Sequence, residues 1–567
     1  MLKSFFSGII AVMLVTGFLS VGCTRNSNNK KNNVSLQKTE SLSNLPQFFF
    51  IPSEEDDSPV IMPNYPFPQG SKSLAVYNVK PMLPSDSDAA YLKMISLLKE
   101  ILNNNLIFDS RTPLSRSSFR VVFEHHTSYP RTGHSASDNI HEEHISVSES
   151  MGYGMIILAY MAGCEDALTA AGHRWRFGAK NLKDYYDGML RTVLSFKSPL
   201  NAGGARTGQH SWELFGFNTG KNETGLFINN DSEILSRGYR YSENSSESAK
   251  VAPFANTPGG GKDGAEGQSG YYNSGTSSAA DGDMDIIYSL IAADKQWGSG
   301  GEYNYREIAL EMLEGFWRGV THTTYRTVLL GDWAWRANPG AGLSLHNGAR
   351  SSDFILSHLR AYKAFDTERN WQEVIDATLN VISDIRDGLH SSGAPNNGLL
   401  PDFAVRASLS DRWVSAPSNF LESANDGRYN WNSCRIPWRL GADYLLYGNT
   451  AMKGNLANPS LFTYSIKPLD DFAKARVGEN RNTMTGLGSN YALDAAIANS
   501  AQSPVSGFVV PFLVTAAAMR NDQDWVDAFW SFPGTFGFHN NWYADYYKLI
   551  AAIIASGNYW KPEVMRL

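Results

Sequence analysis

The sequence predicts an all-α protein in which about a dozen helices form a barrel of alternating inner and outer layers. Apolar residues recur at spacings of three and four along most of the chain, and strand-like alternation is scarce. Several helical segments are apolar on nearly all faces, which predicts that they are buried in the interior of a large domain. The predicted helices lie at 89–102, 152–163, 182–196, 284–297, 305–317, 352–365, 371–385, 436–448, 492–501, 509–519 and 543–557.

Long loops rich in Gly, Pro, Asn and Ser separate these helices, above all at 200–277 and 388–432. On a helical scaffold, such loops commonly carry the binding surface. The chain has no short repeat and no obvious second domain. We therefore expect residues 61–567 to form one domain, large enough for an enzyme.

The N-terminus has the features of a targeting segment. Lys3 precedes an apolar run at 5–21, and small residues then lead to Cys23. This pattern resembles a bacterial lipoprotein signal, which implies a signal peptide at 1–22, lipidation of Cys23 and a place in the cell envelope, on either side of the outer membrane. Ordinary secretion is the alternative. The polar residues 23–60 are expected to form a flexible tether.

Composition narrows the classes of partner. The formal net charge is −7 and no long Lys/Arg block occurs, which disfavours nucleic acid. Aromatic residues reach 12%, and their faces suit stacking on sugar rings. The His groups at 124–126 and 141–144 lack zinc-motif spacing, so neither a metal nor a cofactor is expected. Cys164 and Cys434 are interpreted as buried thiols, with a disulfide left open. We expect a monomer.

The segment SSAADGDMDIIYSLIAADKQW, residues 277–297, is the most informative. Asp281, Asp283 and Asp285 alternate at the start of a helix. Carboxylates in a first turn are favoured by the helix dipole and by free N–H groups, so a capped helix start is the simplest interpretation of these residues alone.

The same segment resembles the signature of glycoside hydrolase family 8, with Ala280 and Ile287 as departures. A second family block, Ser-Glu before Gly-Tyr-Gly-Met, is similar to SVSESMGYGM at 146–155. Further similar blocks run in the same order over roughly 145–562. The resemblance implies an (α/α)6 barrel and hydrolysis of β-1,4-linked glycans with inversion, by two carboxyls on opposite faces of the bond.

The resemblance also implies roles for individual residues. Glu149 matches the general acid, and Asp281 matches the aspartate that contacts the sugar where the bond breaks. Asp283 could instead cap its helix, and each aromatic residue could instead belong to the core. Further contacts with a polysaccharide substrate are expected from Tyr153, Asp283, Trp333, Trp431, Asn432 and Arg435.

The general base is the open question. Asn432 stands where one branch of the family carries the base aspartate, and an amide cannot ionise. A second branch, resembling chitosanases and mixed-linkage glucanases, takes its base from a glutamate slightly upstream, which here is Glu422. Asp426 and Asp353 are the competing candidates.

The predicted function is therefore that of an inverting endo-glycanase acting on chitosan, mixed-linkage β-glucan, cellulose or xylan. The alternative is a glycan-binding envelope lipoprotein that has lost its base.

Overall fold

The computed structural model describes residues 61–108, 119–121, 146–175, 179–195, 213–214, 278–331, 334, 344–408, 410–496, 502–539 and 541–564. The predicted signal peptide, the tether, Cys23, Trp333 and both His groups lie outside the described residues. Within the described residues, none of the helices combines the length and the hydrophobicity that a membrane crossing requires.

Helices dominate the described part of the chain. The α-helices are α1 (Ser71–Leu74), α2 (Ser87–Asn104), α3 (Ser148–Met161), α4 (Glu165–Ala170), α5 (Leu182–Ser195), α6 (Ala280–Trp297), α7 (Tyr305–Gly319), α8 (Leu356–Phe365), α9 (Trp371–Ser391), α10 (Ile436–Tyr447), α11 (Lys467–Val477), α12 (Ser506–Val509), α13 (Phe512–Met519), α14 (Gln523–Ser531), α15 (Pro533–Phe536) and α16 (Trp542–Ala555). Short 3₁₀-helices occupy Leu345–Asn347, Ser351–Asp353 and Ser433–Arg435, and a π-helix at Phe462–Ile466 leads into α11.

The strands are two or three residues long and antiparallel. They are β1 (Leu106–Phe108), β2 (Phe119–Val121), β3 (Ser146–Val147), β4 (Glu213–Leu214), β5 (Gly348–Arg350), β6 (Phe403–Val405) and β7 (Val414–Ser415). The first four form two pairs, β1 with β2 and β3 with β4, and the last three form one sheet in the order β5-β6-β7.

Six of the described helices form a closed inner ring. In the order α3, α6, α8, α10, α13 and α16, each helix packs against the next, and α16 packs against α3. An outer helix precedes each of them along the chain, namely α2, α5, α7, α9, α11 and α14, and packs against the inner ring. This is an (α/α)6 barrel, so the predicted fold class is confirmed.

The inner helices are apolar nearly all round because neighbours cover them on every side. In α6, every residue except Lys295 is buried. In α3, every residue except Glu149 is buried. A partly exposed carboxyl in the first turn of an otherwise buried helix is therefore the feature that distinguishes α3.

Two glycines allow α3 and α6 to touch along their backbones. A Cβ added at Gly152 would lie 2.6 Å from the Cβ of Asp285, and one added at Gly282 would lie 2.7 Å from the backbone N of Glu149. Both distances are below van der Waals contact, so a larger residue would separate the helices. The glycines thus bring the first turns of the two helices, and with them Glu149 and Asp281, side by side.

One predicted helix is wrong in its described part. Residues 492–496 form turns and extended chain, because Asn397 Nδ2 donates hydrogen bonds to the carbonyls of Leu493 and Ala495, both at 3.0 Å. The outer helices α11 and α14 were not predicted. Asp470 interrupts the apolar face of α11, yet it is buried and accepts a hydrogen bond from Trp525 Nε1 of α14 at 2.9 Å. This hydrogen bond takes the place of an apolar contact between the two helices, so the apolar spacing that would predict α11 is interrupted.

Candidate active site

A cluster of carboxyl and guanidinium groups lies where α3 and α6 begin and where the chain enters α10. Arg435 is at its centre and is buried. Its Nη1 donates to Glu149 Oε1 and to Asp281 Oδ2, the latter at 2.9 Å, while its Nη2 donates to Asn432 Oδ1 at 2.9 Å. The buried charge is thus satisfied by two carboxyls and one amide, as a buried guanidinium requires.

Glu149 has the electrostatics of an acid. Its side chain is 14% exposed, and Tyr153 Oη donates to its Oε1 at 2.6 Å. Burial raises the pKa of Glu149 to about 7; the guanidinium of Arg435 opposes this shift, and the carboxylate of Asp281 adds to it. Glu149 therefore keeps its proton up to neutral pH.

Glu422 is the second carboxyl with partial exposure, at 21% of its side chain. Asn432 Nδ2 donates to its Oε2 at 2.8 Å, and Arg350 Nη2 lies 3.3 Å from its Oε1. Burial raises the pKa of Glu422 above its usual value, and Arg350 and the Asn432 amide oppose this shift without cancelling it. The position that matches the usual base aspartate thus holds an amide, which donates a hydrogen bond to the carboxylate of Glu422.

Asp426 holds the loop that presents Glu422. Its two carboxylate oxygens accept hydrogen bonds from the backbone N–H groups of Leu421, Glu422 and Ser423, at 2.7, 3.0 and 2.7 Å. The residue is 1% exposed. Asp426 therefore stabilises the loop, and the structure does not support it as the alternative base.

Asp353 lies deeper in the cluster and is 1% exposed. Its Oδ1 accepts from Ser352 Oγ at 3.0 Å. Burial raises the pKa of Asp353 to about 8, against the lowering effect of Arg350. A carboxyl that is buried and protonated at neutral pH is poorly suited to activate a water, so this alternative base is not supported either.

The other predicted contact residues differ in their placement. Tyr153 lies one helical turn after Glu149 and is buried. Trp431 is half-buried, and its ring packs edge-on against Phe508, with ring centroids 4.9 Å apart. Asp283 lies in the first turn of α6 and is 1% exposed, and its contact with the substrate stays a prediction.

A second layer of buried ions supports the cluster one turn further along α6 and α10. Arg439 donates to both oxygens of Asp285, at 2.7 and 2.6 Å, and His358 Nε2 lies 2.9 Å from Asp285 Oδ1. Burial of Asp285 favours the neutral acid, yet Arg439 prevails and holds its pKa below the usual value. The spacing of four in 281/285 and 435/439 was the sequence pattern that could have revealed these two layers.

Arg350 is the functional candidate that the sequence reasoning missed. It ends β5, where it pairs with Phe403 of β6, and it is buried. Its Nη1 lies 3.9 Å from Asp281 Oδ1, in addition to its contact with Glu422. Arg350 and Asp281 thus provide a second link between the two partly exposed carboxyls. No local motif marks this residue, because its role arises from strand pairing between distant segments.

Cys164 and Cys434 are both buried free thiols. Burial raises the pKa of Cys434 to about 12, and its Sγ donates to the carbonyl of Trp431 at 3.2 Å. Although Cys434 neighbours Arg435, its thiol is therefore inert at neutral pH.

No family model matches the chain. The chain is 36% identical to a β-glucanase of Niallia circulans over 287 residues, which are 50% of this chain and 63% of that protein. It is 26% identical to an endoglucanase of Bacillus sp. strain KSM-330 over 419 residues, which are 74% of this chain and 68% of that protein.

Solved structures agree with these relatives. The apo β-1,3-1,4-glucanase of Paenibacillus sp. X4 superposes with a TM-score of 0.60 and 26% identity, covering 88% of this chain and 99% of that one. A cold-adapted family 8 xylanase in complex with substrate superposes with a TM-score of 0.50 at 12% identity, covering 85% and 97%, which shows a shared fold. Fold and site together give this chain the architecture of a glycosidase. Among glycosidases, the chain is similar in sequence to β-glucanases and endoglucanases, and it shares its fold with a family 8 xylanase.

Proposed function

We propose that the protein is an inverting, endo-acting glycoside hydrolase that cleaves β-1,4 linkages in a polysaccharide. The observation that carries the proposal is the pair Glu149 and Glu422. Both side chains keep partial exposure, at 14% and 21%, whereas Asp281 keeps 3%. Hydrogen bonds through Arg435 and Asn432 connect the two carboxyls. Inverting hydrolysis requires two such groups, separated by enough room for a water.

Glu149 is the proposed general acid. Because its pKa is raised to about 7, Glu149 still carries its proton in slightly acidic to neutral solution, where an ordinary glutamate is ionised. In the reaction, that proton passes to the glycosidic oxygen as the bond from this oxygen to the anomeric carbon breaks. Arg435 and Tyr153 contact the same oxygen of Glu149, so they stabilise the carboxylate that remains.

Glu422 is the proposed general base. Arg350 and Asn432 each hold one of its oxygens, which favours the ionised form and orients the remaining lone pairs. The carboxylate takes a proton from a water, and the water oxygen bonds to the anomeric carbon on the face opposite the leaving group. One proton enters Glu422 and one leaves Glu149 in each turnover, and exchange with solvent restores both groups.

Asn432 supports placing the chain in the branch with an amide at the usual base position. The amide donates to Glu422 and accepts from Arg435, so it bridges the two sides of the site. This arrangement gives the amide a task that an aspartate could not perform, because a second carboxylate there would repel Glu422. The alternative of a glycan-binding protein without a base is disfavoured for the same reason.

For the substrate, we propose a β-glucan with β-1,4 linkages, and mixed-linkage β-1,3-1,4-glucan first. Support comes from two proteins, the β-glucanase relative and the Paenibacillus β-1,3-1,4-glucanase. The chain covers 63% of the β-glucanase of Niallia circulans. Reducing-sugar release from mixed-linkage β-glucan, chitosan, cellulose and xylan tests the ranking, and a faster release from any of the other three would reverse it.

The roles of the two carboxyls are tested with Glu149→Gln and Glu422→Gln. Glu302→Gln is the matched control, because Glu302 also pairs with one buried arginine, Arg191, at 3.0 Å, but in the outer layer. Both site variants are expected to lose about 10³-fold or more in kcat, and the control none.

Azide and anomeric configuration separate the roles further. Azide should restore turnover of Glu422→Ala by forming an α-glycosyl azide, because it replaces the activated water. Proton NMR of fresh digests should show the α-anomer first. A first-formed β-anomer would exclude inversion, and full activity of Glu422→Gln would exclude this base.

We further propose that lipidation of Cys23 anchors the enzyme in the bacterial envelope. The support is the signal-like segment that precedes this cysteine. In cells, Cys23→Ala should move the protein from the membrane fraction to the soluble or secreted fraction. Cys164→Ala is the control, since that thiol is buried in the barrel. A Cys23→Ala protein that stays with the membranes would contradict the anchor.

A further inference from the structure

Asp402 lies immediately before β6 and is buried under the turn that carries Asn432. Its Oδ1 accepts four hydrogen bonds. They come from the backbone N–H groups of Asn430, Asn432 and Ser433, at 3.1, 3.1 and 2.8 Å, and from the hydroxyl of Ser433 at 2.7 Å. A single carboxylate oxygen thus determines the path of the backbone through this turn.

The backbone of the same segment joins two further parts of the site. The carbonyl of Asp402 accepts from Ser351 N at 3.0 Å, in the segment that follows Arg350. The N–H of Phe403 donates to the carbonyl of Asp426 at 2.8 Å, in the loop that presents Glu422. Residues 402 and 403 therefore connect the three segments that carry the proposed base and both side chains that hold it.

We propose that Asp402 is a positioning residue for the base. It fixes the turn at 430–433 and so holds the Asn432 amide between Glu422 Oε2 and Arg435 Nη2, at 2.8 and 2.9 Å. Asp402 is buried and does not reach the substrate. This inference rests on the proposed function, because it assigns Asp402 to the base side of that mechanism.

The physical consequence of losing Asp402 follows from geometry. Without its acceptor, the backbone N–H groups of Asn432 and Ser433 lose this partner, and that of Asn430 is left with the hydroxyl of Ser433 at 2.8 Å, so the turn must shift to satisfy them. The Asn432 amide moves with the turn, and Glu422 loses its alignment with the attacking water. A displacement of about 1 Å in such a site typically costs about 10²-fold in rate.

The test compares Asp402→Ala with Asp402→Asn on two substrates, the polysaccharide and a β-glycosyl fluoride. Fluoride leaves without a proton, so hydrolysis of the fluoride depends on the base and not on the acid. We expect Asp402→Ala to lower kcat by about 10²-fold on both substrates with little change in KM. Asp402→Asn keeps an acceptor oxygen and should restore most of the rate.

Two controls separate positioning from a general loss of stability. Asp187→Ala removes a buried aspartate of the outer layer that accepts from Lys183 and Tyr305, and it should lower the Tm while leaving kcat per folded molecule unchanged. Tyr153→Phe disturbs the acid side and should slow the polysaccharide reaction more than the fluoride reaction. If Asp402→Ala fails to fold, Ser433→Ala, which removes one of the four bonds, should lower kcat several-fold on both substrates.

The outcomes also separate this inference from the function on which it rests. The Asp402 proposal is overturned if Asp402→Ala loses activity only in proportion to its unfolded fraction, or if it slows the polysaccharide reaction and spares the fluoride. Glu422→Gln, measured in parallel, reports on the base itself. If Glu422→Gln still hydrolyses the fluoride at the wild-type rate, the proposed base fails. If Glu422→Gln no longer hydrolyses the fluoride at this rate but Asp402→Ala still does, only the positioning role of Asp402 fails.

Discussion

The charge of Asp281 should control the pH at which the enzyme loses activity in alkali. Asp281 Oδ2 and Glu149 Oε1 accept hydrogen bonds from the same Arg435 nitrogen, so these two oxygens are at most about 6 Å apart. At an effective dielectric constant of about 20, two unit charges at this separation repel by about 3 kcal/mol. This energy corresponds to about 2 pKa units, which screening by Arg435 and water reduces.

The sign of the effect follows directly. The negative charge of Asp281 disfavours ionisation of Glu149 and raises its pKa, so Asp281→Asn should lower that pKa. Because the general acid must be protonated, activity of the wild type should fall as pH rises through about 7, the pKa of Glu149. In Asp281→Asn, the same alkaline limb should lie about 1 to 2 units lower, whatever the maximal rate.

The assay is the pH dependence of kcat/KM on a soluble glycan, which reports the pKa values of the free enzyme. Tyr153→Phe provides a comparison of opposite sign. It removes a hydrogen bond that lowers the pKa of Glu149, so its alkaline limb should move up. An Asp281→Asn limb that stays in place or moves upward would refute the electrostatic coupling of these two carboxyls.

Three further predictions concern stability. Gly282→Ala should lower the free energy of unfolding by about 1 to 3 kcal/mol in urea denaturation, because its Cβ would meet the backbone of Glu149. Gly388→Ala is the control, and it should be neutral or stabilising because open space surrounds Gly388. Arg439→Met should lower the free energy of unfolding by about 3 to 5 kcal/mol, since it leaves the buried charge of Asp285 with its hydrogen bond to His358 but without the guanidinium. An Asp285→Asn change in the same protein should recover part of the loss, and a purely additive result would contradict the pairing. In the wild type, the folded chain keeps the proton of Asp353 up to about pH 8, whereas the unfolded chain loses it near pH 4. The free energy of unfolding should therefore fall as the pH rises from about 4 to about 8. Thermal melts at several pH values should show a smaller dependence on pH for Asp353→Asn.

The sequence predicted the barrel well because its inner helices are buried on all sides. Such helices have no polar face, so their sequences are apolar runs interrupted by small residues, and this pattern predicts burial on all sides. The outer helix α11 was missed because one of its core positions is Asp470, which is satisfied by a residue of α14. The Ala-rich segment 492–496 was wrongly predicted to be helical, because the side-chain amide of Asn397 donates hydrogen bonds to two of its carbonyls. In both cases a distant polar group outweighs the local pattern.

The sequence by itself determined the six inner helices of the barrel, and it singled out Glu149, Asp281 and the absence of an ionisable group at Asn432. These features are local, because Glu149 and Asp281 lie in the first turns of helices whose composition fixes their burial, and Asn432 directly precedes the 3₁₀-helix that leads into α10. Only the tertiary structure decided how the site is held together. Glu422, Arg350 and Asp402 come from loops and short strands, and their partners are 10 to 72 residues away along the chain. Such contacts depend on which segments the barrel brings to one end, and no local periodicity encodes that.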